Sequence, residues 1–363
     1  MCFACTDKKP VLKSTPSSTL KYAKGFWIED KGAYRNLFIR HSADTSIAPI
    51  QYRLVKTISG TSSSDGALII QVPIKNMVCT STTHIPLLDY LGDSKKLIGF
   101  PSTKYISSPI TRQRIDSGFV KELGKENGLN LELLTELQPS IVMAYSMGKD
   151  LGQLKKVQEL GIPVVINSEY LEQHPLGRAE WIKFMALFLG KEDKADSIFN
   201  WIESEYQNAK SSIRDTLNKP TVLTGIPYGG IWYLPGGKNY AAQFFKDAGC
   251  QYLWSDEPSS GFLQLSLETV YEKALSAEYW IGIGSFESYN ELKSTDERFA
   301  KFNAWQTKNA FTYNSRIGAT GGNEYLELGY LRPDLILKDI IKITHPNQVS
   351  SHELFFFKEL KRE

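Results

Sequence analysis

The sequence predicts an α/β protein made of two βαβ lobes with parallel-type central sheets. One long helix joins the lobes, and an antiparallel β extension precedes them. Three observations carry this prediction: the length of the chain, a change of hydrophobic pattern near residue 75, and one uninterrupted helical stretch. With 363 residues, the chain exceeds what one hydrophobic core usually serves, and units of roughly 150 residues are the common solution.

Composition excludes several classes of protein. Hydrophobic residues make up 42% and charged residues 23% of the chain, which is typical of an ordered globular protein. Lys and Arg total 42 against 40 for Asp and Glu, a balance too even for a protein that neutralises nucleic-acid phosphates. No apolar run approaches the roughly 20 residues that cross a bilayer. We therefore expect no nucleic-acid partner and only peripheral membrane association.

The first part of the chain has the pattern of strands. Alternating apolar residues before Ile74 predict an antiparallel meander. Beyond that point, short apolar runs alternate with helical patterns, which indicates a βαβ lobe. The predicted meander strands contain Phe26–Ile28, Leu37–Ile39, Tyr52–Val55 and Ala67–Val72; the lobe strands are Met77–Cys79, Lys96–Gly99, Ser140–Ala144 and Pro163–Ile166, with helices such as Leu131–Leu137 and Leu151–Leu160 between them.

A long helix is predicted over Glu192–Leu217. Its apolar residues recur in steps of three and four, and neither glycine nor proline interrupts it. Some 25 residues at 1.5 Å each span roughly 38 Å, enough for a rigid strut between two lobes. The βαβ pattern then resumes with strands Thr221–Thr224, Gln251–Trp254, Tyr279–Ile283 and Phe311–Tyr313 and helices Tyr240–Ala248, Leu267–Leu275 and Arg332–Ile343.

A short internal echo supports two lobes of similar plan. Asn130-Leu-Glu132 and Ser266-Leu-Glu268 each begin a short helix that an apolar strand follows. Asn and Ser are good N-cap residues. The echo predicts equivalent helix starts in the two lobes.

The four cysteines are Cys2, Cys5, Cys79 and Cys250. No histidines lie near them that would complete a zinc site, so we expect no zinc site and no other metal site. Ala4-Cys5 matches the end of a bacterial lipoprotein signal, which makes Cys5 the candidate lipidated residue. The apolar region that should precede it is missing, so either the start of the chain is trimmed or there was never a signal.

The expected organisation follows from these patterns. It comprises a lipoprotein-type N-terminus and tether (1–21), an N-terminal lobe including the meander (22–190), a linking helix (191–218) and a C-terminal lobe (219–363).

Several segments resemble the periplasmic solute-binding proteins of ABC importers that carry iron-siderophores, haem or cobalamin. The resemblance runs from about Ile74 to Pro346 and departs from the family at Ser140, where Asp is usual. Its segments are Asn130–Val142, Gly177–Gly190, Trp232–Gly237 leading into Ala248-Gly249, and Gly329–Asp339 with His345-Pro346. The resemblance implies a monomer that binds a metal chelate between its lobes without bond chemistry, and that delivers it to a membrane permease. It also implies that Glu132 and Glu268 dock onto that permease.

Candidate ligand-binding residues lie in the loops where ligands of open α/β sheets bind, beyond the carboxyl ends of the strands. These loops are rich in aromatic residues, which suit a flat macrocycle or a catecholate. The candidates are Tyr105, Tyr145, Tyr228, Trp232, Tyr233, Arg316, Asn323 and Tyr325. Two alternatives stay open: the aromatic residues cap the core, and Arg316 forms a salt bridge within its lobe.

The expected ligand is a ferric siderophore or haem, with cobalamin as an alternative of the same class and no covalent cofactor. An alternative of another class is a cell-surface hydrolase. The sequence contains no GxSxG, HExxH, Walker or GxGxxG motif, which argues against an enzyme. A binding protein returns its ligand unchanged, whereas an enzyme turns it over.

Overall fold

The N-terminal extension is a four-stranded sheet. The computed structural model describes residues 20–57, 66–125, 128–145, 152–213 and 219–363. In this extension, β1 and β2 pair antiparallel, as do β2 and β3, which confirms the predicted meander for three strands. β4 runs parallel to β3, so the prediction is wrong for the last strand. About a dozen residues between the two strands give the length that a parallel connection requires. The strands are β1 (Phe26–Asp30), β2 (Tyr34–Ile39), β3 (Ile50–Val55) and β4 (Leu68–Gln71).

The first lobe is built on a parallel sheet. Its strands are β5 (Met77–Cys79), β6 (Leu97–Phe100), β7 (Lys121–Glu122), β8 (Gly124–Lys125), β9 (Gly128–Leu129), β10 (Ile141–Ala144) and β11 (Val164–Ile166), and its helices are α1 (His84–Leu91), α2 (Pro109–Asp116), α3 (Leu131–Leu137) and α4 (Gln153–Glu159). The sheet order is β11-β10-β5-β6-β7, while β8 and β9 form a small hairpin. The predictions of β5 and α3 are confirmed to the residue. Each parallel strand therefore ends at the same edge of the sheet.

Two consecutive helices follow β11, α5 (Pro175–Leu189) and α6 (Glu192–Ser212). Every residue of α5 except Lys183 is buried, so this helix belongs to the core on all sides. α6 buries only the stripe that its apolar spacing predicts. The predicted helix Glu192–Leu217 begins at the correct residue; the observed helix ends at Ser212, and residues 214–218 lie outside the described part of the chain.

Polar contacts fix α6 at both ends. Near its start, Arg35 Nη1 lies 2.8 Å from Glu192 Oε1, which ties the helix to the N-terminal extension. Near its end, the Tyr206 hydroxyl donates to Asp247 Oδ2 at 2.8 Å, and Lys210 Nζ lies 2.9 Å from Asp247 Oδ1. The 21 residues of α6 span about 31 Å at 1.5 Å per residue. The helix is therefore a strut that runs from the first half of the molecule to the second.

The second lobe repeats the plan of the first with an added antiparallel sheet. Its strands are β12 (Thr221–Leu223), β13 (Ile226–Tyr228), β14 (Ile231–Pro235), β15 (Gln251–Tyr252), β16 (Phe262–Ser266), β17 (Tyr279–Ile281), β18 (Ala310–Thr312) and β19 (Lys358–Glu359). Its helices are α7 (Tyr240–Asp247), α8 (Leu267–Ala274), α9 (Tyr289–Thr295), α10 (Asn303–Gln306), α11 (Glu324–Leu328) and α12 (Pro333–Thr344). The main sheet has the order β15-β12-β17-β18-β19 and is parallel except for β19.

The added sheet, of order β13-β14-β16, was not predicted from the sequence. β13 and β14 form a hairpin in which Tyr228 pairs with Ile231. The two residues between them, Gly229 and Gly230, both have positive φ, 59° and 82°. This is the backbone that a two-residue hairpin loop needs and that glycine adopts without strain.

Two buried carboxylates on and beside α5 hold the beginning of the described chain. Glu180 accepts hydrogen bonds from the backbone N–H groups of Lys21, Tyr22 and Ala23, the last at 2.9 Å. Glu172 accepts from the N–H of Gly25 at 2.8 Å and from the indole N–H of Trp181 at 3.0 Å. A buried carboxylate surrounded by donors is well satisfied. The chain therefore enters the fold against α5, beside the strut.

Candidate functional site

The loops at the carboxyl ends of the strands face each other across the boundary between the lobes. On one side, Glu327 of the second lobe accepts hydrogen bonds from two backbone N–H groups of the first lobe, Ser107 at 2.6 Å and Ser108 at 2.9 Å. Burial raises the pKa of Glu327 to about 7, against the effect of these two donors. Nearby, the Thr320 hydroxyl donates to the carbonyl of Lys104 at 2.7 Å. The lobes therefore meet directly in this arrangement.

Glycine permits the close approach at this contact. A Cβ atom on Gly322 would lie 2.2 Å from the carbonyl oxygen of Tyr105, and one on Gly318 would lie 2.8 Å from the Cα of Ser107. Both contacts are with backbone, which cannot swing aside as a flexible side chain would. Glycine at these two positions therefore lets the backbones of the two lobes come this close.

Four of the predicted aromatic residues have rings that reach solvent at least in part. Tyr105 and Tyr228 are 54% and 78% exposed, and Tyr233 is 37% exposed. Tyr105 lies at the lobe contact, whereas Tyr228 and Tyr233 lie on the β13–β14 hairpin. The half-buried Tyr145 ring packs edge-on against Tyr170 with 5.1 Å between centroids. These tyrosines remain candidate ligand contacts.

The prediction that Trp232 lines the cleft is wrong. Trp232 is fully buried, and its indole N–H donates to the carbonyl of Thr224 at 3.1 Å. Its ring stacks on Trp280 and meets Phe299 edge-on, with centroids 5.3 Å and 5.8 Å away. Alternation along β14 explains the error, because successive side chains of a strand point to opposite faces and Trp232 points inward.

The remaining three candidates have structural partners. The Arg316 guanidinium donates to Glu324 and lies over the Phe355 ring, so the salt bridge within the lobe is the observed arrangement. Asn323 caps α11 by accepting from the N–H of Tyr325 at 2.9 Å. The Tyr325 ring stacks on Tyr313 at 4.8 Å, and burial raises its pKa. The structure therefore gives Asn323 and Tyr325 structural roles; for Tyr325 this is the core-capping alternative, whereas the helix cap at Asn323 was not predicted.

A group of buried polar residues at the lobe boundary was missed. Asn167, Ser168 and Glu169 directly follow β11, and all three are buried. Asn167 Oδ1 accepts from the N–H of Glu169 at 3.1 Å, and Glu169 Oε1 accepts from the Thr83 hydroxyl at 2.5 Å. Within the described residues, Asn167 Nδ2, Ser168 Oγ and Glu169 Oε2 have no hydrogen-bond partner. Three polar residues directly after a buried strand were the signal that could have found them.

Arg178 completes this group from the first turn of α5. Its Nη2 donates to the carbonyl of Tyr170 at 2.8 Å and its Nε to that of Glu172 at 3.3 Å, while Nη1 has no partner in the part of the chain described. The guanidinium lies over two second-lobe rings, with its central carbon 3.3 Å from the centroid of Tyr240 and 4.6 Å from that of Tyr330. Arg178 thus reaches across the boundary. We name Asn167, Ser168, Glu169 and Arg178 the orphan cluster.

The two predicted docking carboxylates occupy equivalent places. Asn130 accepts from the N–H of Leu133 at 3.0 Å and Ser266 from that of Thr269 at 3.2 Å, which confirms both N-caps. Glu132 and Glu268 follow in the first turns of α3 and α8 and are exposed. Their electrostatic surroundings differ, because Arg298 lies 3.0 Å from Glu268. The backbone N–H of Glu268 and then Arg298 lower the pKa of this carboxyl.

Two further searches concern metals and membranes. The described ranges contain no group of three or more His, Cys, Asp or Glu residues placed to hold a metal ion. No helix among the residues with assigned positions is both long and apolar enough to span a membrane. The candidate lipidation residue, Cys5, lies outside the described residues.

One known protein family matches this chain over most of the two lobes and the strut. The profile of the periplasmic binding protein family covers residues 77–317, well over half of the 363-residue chain. The chain belongs to the periplasmic binding protein family. This is the solute-binding family that the sequence resembles, so the predicted fold class and family are confirmed. The match begins at β5 and extends beyond β18, and it therefore includes the parallel strands of both main sheets and the strut.

Among curated relatives, an uncharacterized lipoprotein of Methanocaldococcus jannaschii is 26% identical to this chain. The alignment covers 97% of this chain and 88% of the relative. A second uncharacterized lipoprotein of the same organism is 28% identical over 67% of this chain and 64% of its own. The first relative extends the likeness to nearly the whole chain.

Solved structures share the fold at low sequence identity. A periplasmic haem-binding protein of Roseiflexus matches with a TM-score of 0.58 at 18% identity, covering 76% of this chain and 99% of its own. A possible iron-binding periplasmic protein of Staphylococcus epidermidis has a TM-score of 0.58 at 16% identity, with 75% and 99% covered. A Helicobacter pylori protein solved with bound Ni(II) has a TM-score of 0.60 at 15% identity, with 81% and 91% covered.

Proposed function

We propose that this protein is the solute-binding component of an ABC importer, which captures an iron chelate, either a ferric siderophore or haem, between its lobes and delivers it to a permease. One observation carries the proposal: the loops at the strand ends of the two lobes face each other across a boundary that α6 bridges. In open α/β sheets, this edge is where ligands bind. Family membership places the protein among transport solute-binding proteins rather than in an enzyme class.

The exposed candidate tyrosines, one at the lobe contact and two on the β13–β14 hairpin, support the proposal of a ligand with a large flat or aromatic surface. Tyr105, Tyr228 and Tyr233 offer exposed rings with a polar tip. Such rings add favourable contacts beyond the area they bury. Haem and catecholate chelates both present suitable faces, and so does cobalamin, which remains the alternative within the same class. The haem- and iron-binding names of similar structures point the same way.

Delivery requires a membrane partner and a way to stay near it. We propose that Glu132 and Glu268, both exposed at equivalent helix starts, meet basic residues of the permease. Complementary charge orients such encounters while adding little to the fold. The lipoprotein name of a relative that covers nearly the whole chain supports anchoring through Cys5 in the cell envelope.

A titration tests the proposal. The purified protein is titrated by calorimetry with haemin, several ferric siderophores and cobalamin, and the ligand is recovered afterwards. We expect saturation at one ligand per chain, recovery of the ligand unchanged, and weaker binding by Tyr228→Ala and Tyr233→Ala. The exposed Phe119→Ala serves as a control, because Phe119 is 65% exposed and packs near Arg114. Turnover of the ligand, or no binding of any chelate, would refute the proposal.

A further inference from the structure

The orphan cluster is unusual because four of its buried polar atoms have no hydrogen-bond partner within the described part of the chain. Buried polar groups of folded proteins are nearly always hydrogen-bonded, and an unsatisfied one costs about 1–3 kcal/mol. Here four neighbouring residues each carry such an atom: Asn167 Nδ2, Ser168 Oγ, Glu169 Oε2 and Arg178 Nη1. Three of these residues are consecutive in the chain, Arg178 donates to the carbonyl of the next residue, Tyr170, and second-lobe rings cover Arg178. We take this group of orphaned atoms as the sign of a site built to bind something.

The residues are held firmly by their other atoms. Asn167 caps the turn at Glu169, Glu169 accepts from Thr83, and Arg178 donates to two loop carbonyls. These three side chains therefore each use one part for the fold and leave another free, while Ser168 contributes its orphaned hydroxyl. Such fixed donors favour binding, since little conformational freedom is lost when the ligand arrives.

The orphaned atoms of the cluster are mostly hydrogen-bond donors, which favours an anion as the ligand. The Asn167 amide, the Ser168 hydroxyl and the Arg178 guanidinium each offer a hydrogen-bond donor. Arg178 carries a permanent positive charge, and guanidinium groups recognise carboxylates well. Burial raises the pKa of Glu169, against the effect of the Thr83 hydroxyl and the Arg178 charge, and so weakens the repulsion that its carboxyl exerts on an anion.

We propose that the orphan cluster binds a carboxylate group of the transported solute, so the solute is a chelate or macrocycle with at least one free carboxylate. This inference rests on the proposed function and narrows its ligand class. Tyr240 and Tyr330 of the second lobe cover Arg178. The carboxylate enters when the lobes separate, and these rings close behind it.

Two substitutions separate this role from a structural one. Ser168→Ala removes an orphaned hydroxyl, so we expect a higher melting temperature together with about tenfold weaker carboxylate binding. Asn167→Asp keeps the oxygen that caps Glu169 and replaces the free donor by negative charge, so we expect carboxylate binding to be lost. Ser107→Ala is the matched control, because its hydroxyl is also orphaned but lies at the Glu327 contact, outside the cluster.

The probe is sodium citrate without metal, compared with sodium chloride at equal ionic strength in thermal unfolding. Citrate stabilises folded proteins generally, so the quantity compared is the shift beyond that seen with Asn167→Asp, which should show only this general effect. The extra shift is expected to be equal in the wild type and in Ser107→Ala and smaller in Ser168→Ala. A groove lined by Lys75, Lys95, Lys96 and Lys191 is a competing anion site. Lys95→Gln tests it.

The outcomes decide between the explanations. No stabilisation of the wild type by citrate beyond that of Asn167→Asp, an equal response of Ser168→Ala, or a response that survives Asn167→Asp but disappears in Lys95→Gln would each overturn the inference. If the citrate response follows the cluster but no chelate binds in the titration above, the proposed function fails and the anion site stands. If a chelate binds in the titration and none of the cluster variants changes its affinity, the proposed function stands and the anion site is refuted.

Discussion

The indole rings of Trp232 and Trp280 stack inside the second lobe with 5.3 Å between their centroids. One belongs to the small antiparallel sheet and the other to the main parallel sheet. Each indole N–H donates to a backbone carbonyl of the connection after β12, Trp232 to Thr224 and Trp280 to Gly225. The stack therefore joins the two sheets of this lobe, and it is part of the core rather than of a ligand surface.

Trp232→Ala is expected to destabilise the protein by about 3–5 kcal/mol, the usual cost of emptying a buried aromatic site. Tyr233→Ala, one residue further along the same strand, is expected to cost less than about 1 kcal/mol, because its ring is largely on the solvent side. Chemical denaturation measures both values. Equal losses for the two variants would contradict the assignment of Trp232 to the core.

The hairpin explains why the sequence misplaced Trp232. If residues 226–235 are taken as a loop after β12, every aromatic side chain among them is a candidate to face the cleft. Paired as β13 and β14, the segment alternates inward and outward, and Trp232 and Tyr233 separate. The Gly229-Gly230 pair was a hairpin signal in the sequence. The main strands were predictable because continuous apolar runs between helices identify buried parallel strands without any such local detail.

The orphan cluster could not be predicted in the same way. Polar residues after Ile166 are visible in the sequence, but whether each finds a hydrogen-bond partner depends on residues far along the chain, such as Thr83. The buried Glu180 is a similar case, because its partners are backbone N–H groups some 160 residues earlier. Hydrophobic periodicity locates elements, whereas long-range polar pairing requires the fold.

The end of the strut gives a second prediction. Tyr206→Phe removes the hydroxyl that donates to buried Asp247 Oδ2, so we expect a loss of about 1–3 kcal/mol. Lys210→Gln removes an ion pair to the same carboxylate, but this lysine is half-exposed, so the expected loss is below about 1 kcal/mol. Urea unfolding compares the variants. A larger loss for Lys210→Gln would reverse the proposed ranking.

The lobe contact at Glu327 gives a prediction about pH. Burial raises its pKa from 4.5 to about 7, and the charges of Asp89 and Glu324 act in the same direction. Because the folded state then holds this proton more tightly than the unfolded state, the free energy of unfolding falls as pH rises through this window. The contribution is complete below about 4.5 and lost above about 7.

Glu327→Gln serves as the reference for that profile. Melting temperatures between pH 4 and 8 contain contributions from other groups, so the quantity to examine is the difference between wild type and variant. Relative to Glu327→Gln, the wild type should lose stability steadily across the window as the carboxyl ionises. A difference that is constant with pH would show that the pKa of Glu327 is the same in the folded and unfolded states, with the N–H groups of Ser107 and Ser108 offsetting the burial.

The last prediction concerns docking. Glu132 and Glu268 are exposed in the first turns of α3 and α8, and exposed carboxylates contribute little to stability. The double variant Glu132→Lys, Glu268→Lys should therefore fold with a nearly unchanged melting temperature and bind its solute normally, yet fail to support uptake in cells that depend on the protein. Reversed charge would repel the basic permease surface that the carboxylates are proposed to meet.

A matched control uses Glu136 and Glu272, which are exposed one turn further along the same two helices. The double variant Glu136→Lys, Glu272→Lys changes the net charge by the same amount as the docking variant. Uptake should therefore survive in it if the position of the carboxylates matters rather than the total charge. The single variants should differ, because Glu268 already pairs with Arg298 and must exchange that partner, whereas Glu132 has no ion pair with any described residue. Glu132→Lys alone should therefore reduce uptake more than Glu268→Lys. Normal uptake by the first double variant, or equal loss in the control, would refute docking through these residues.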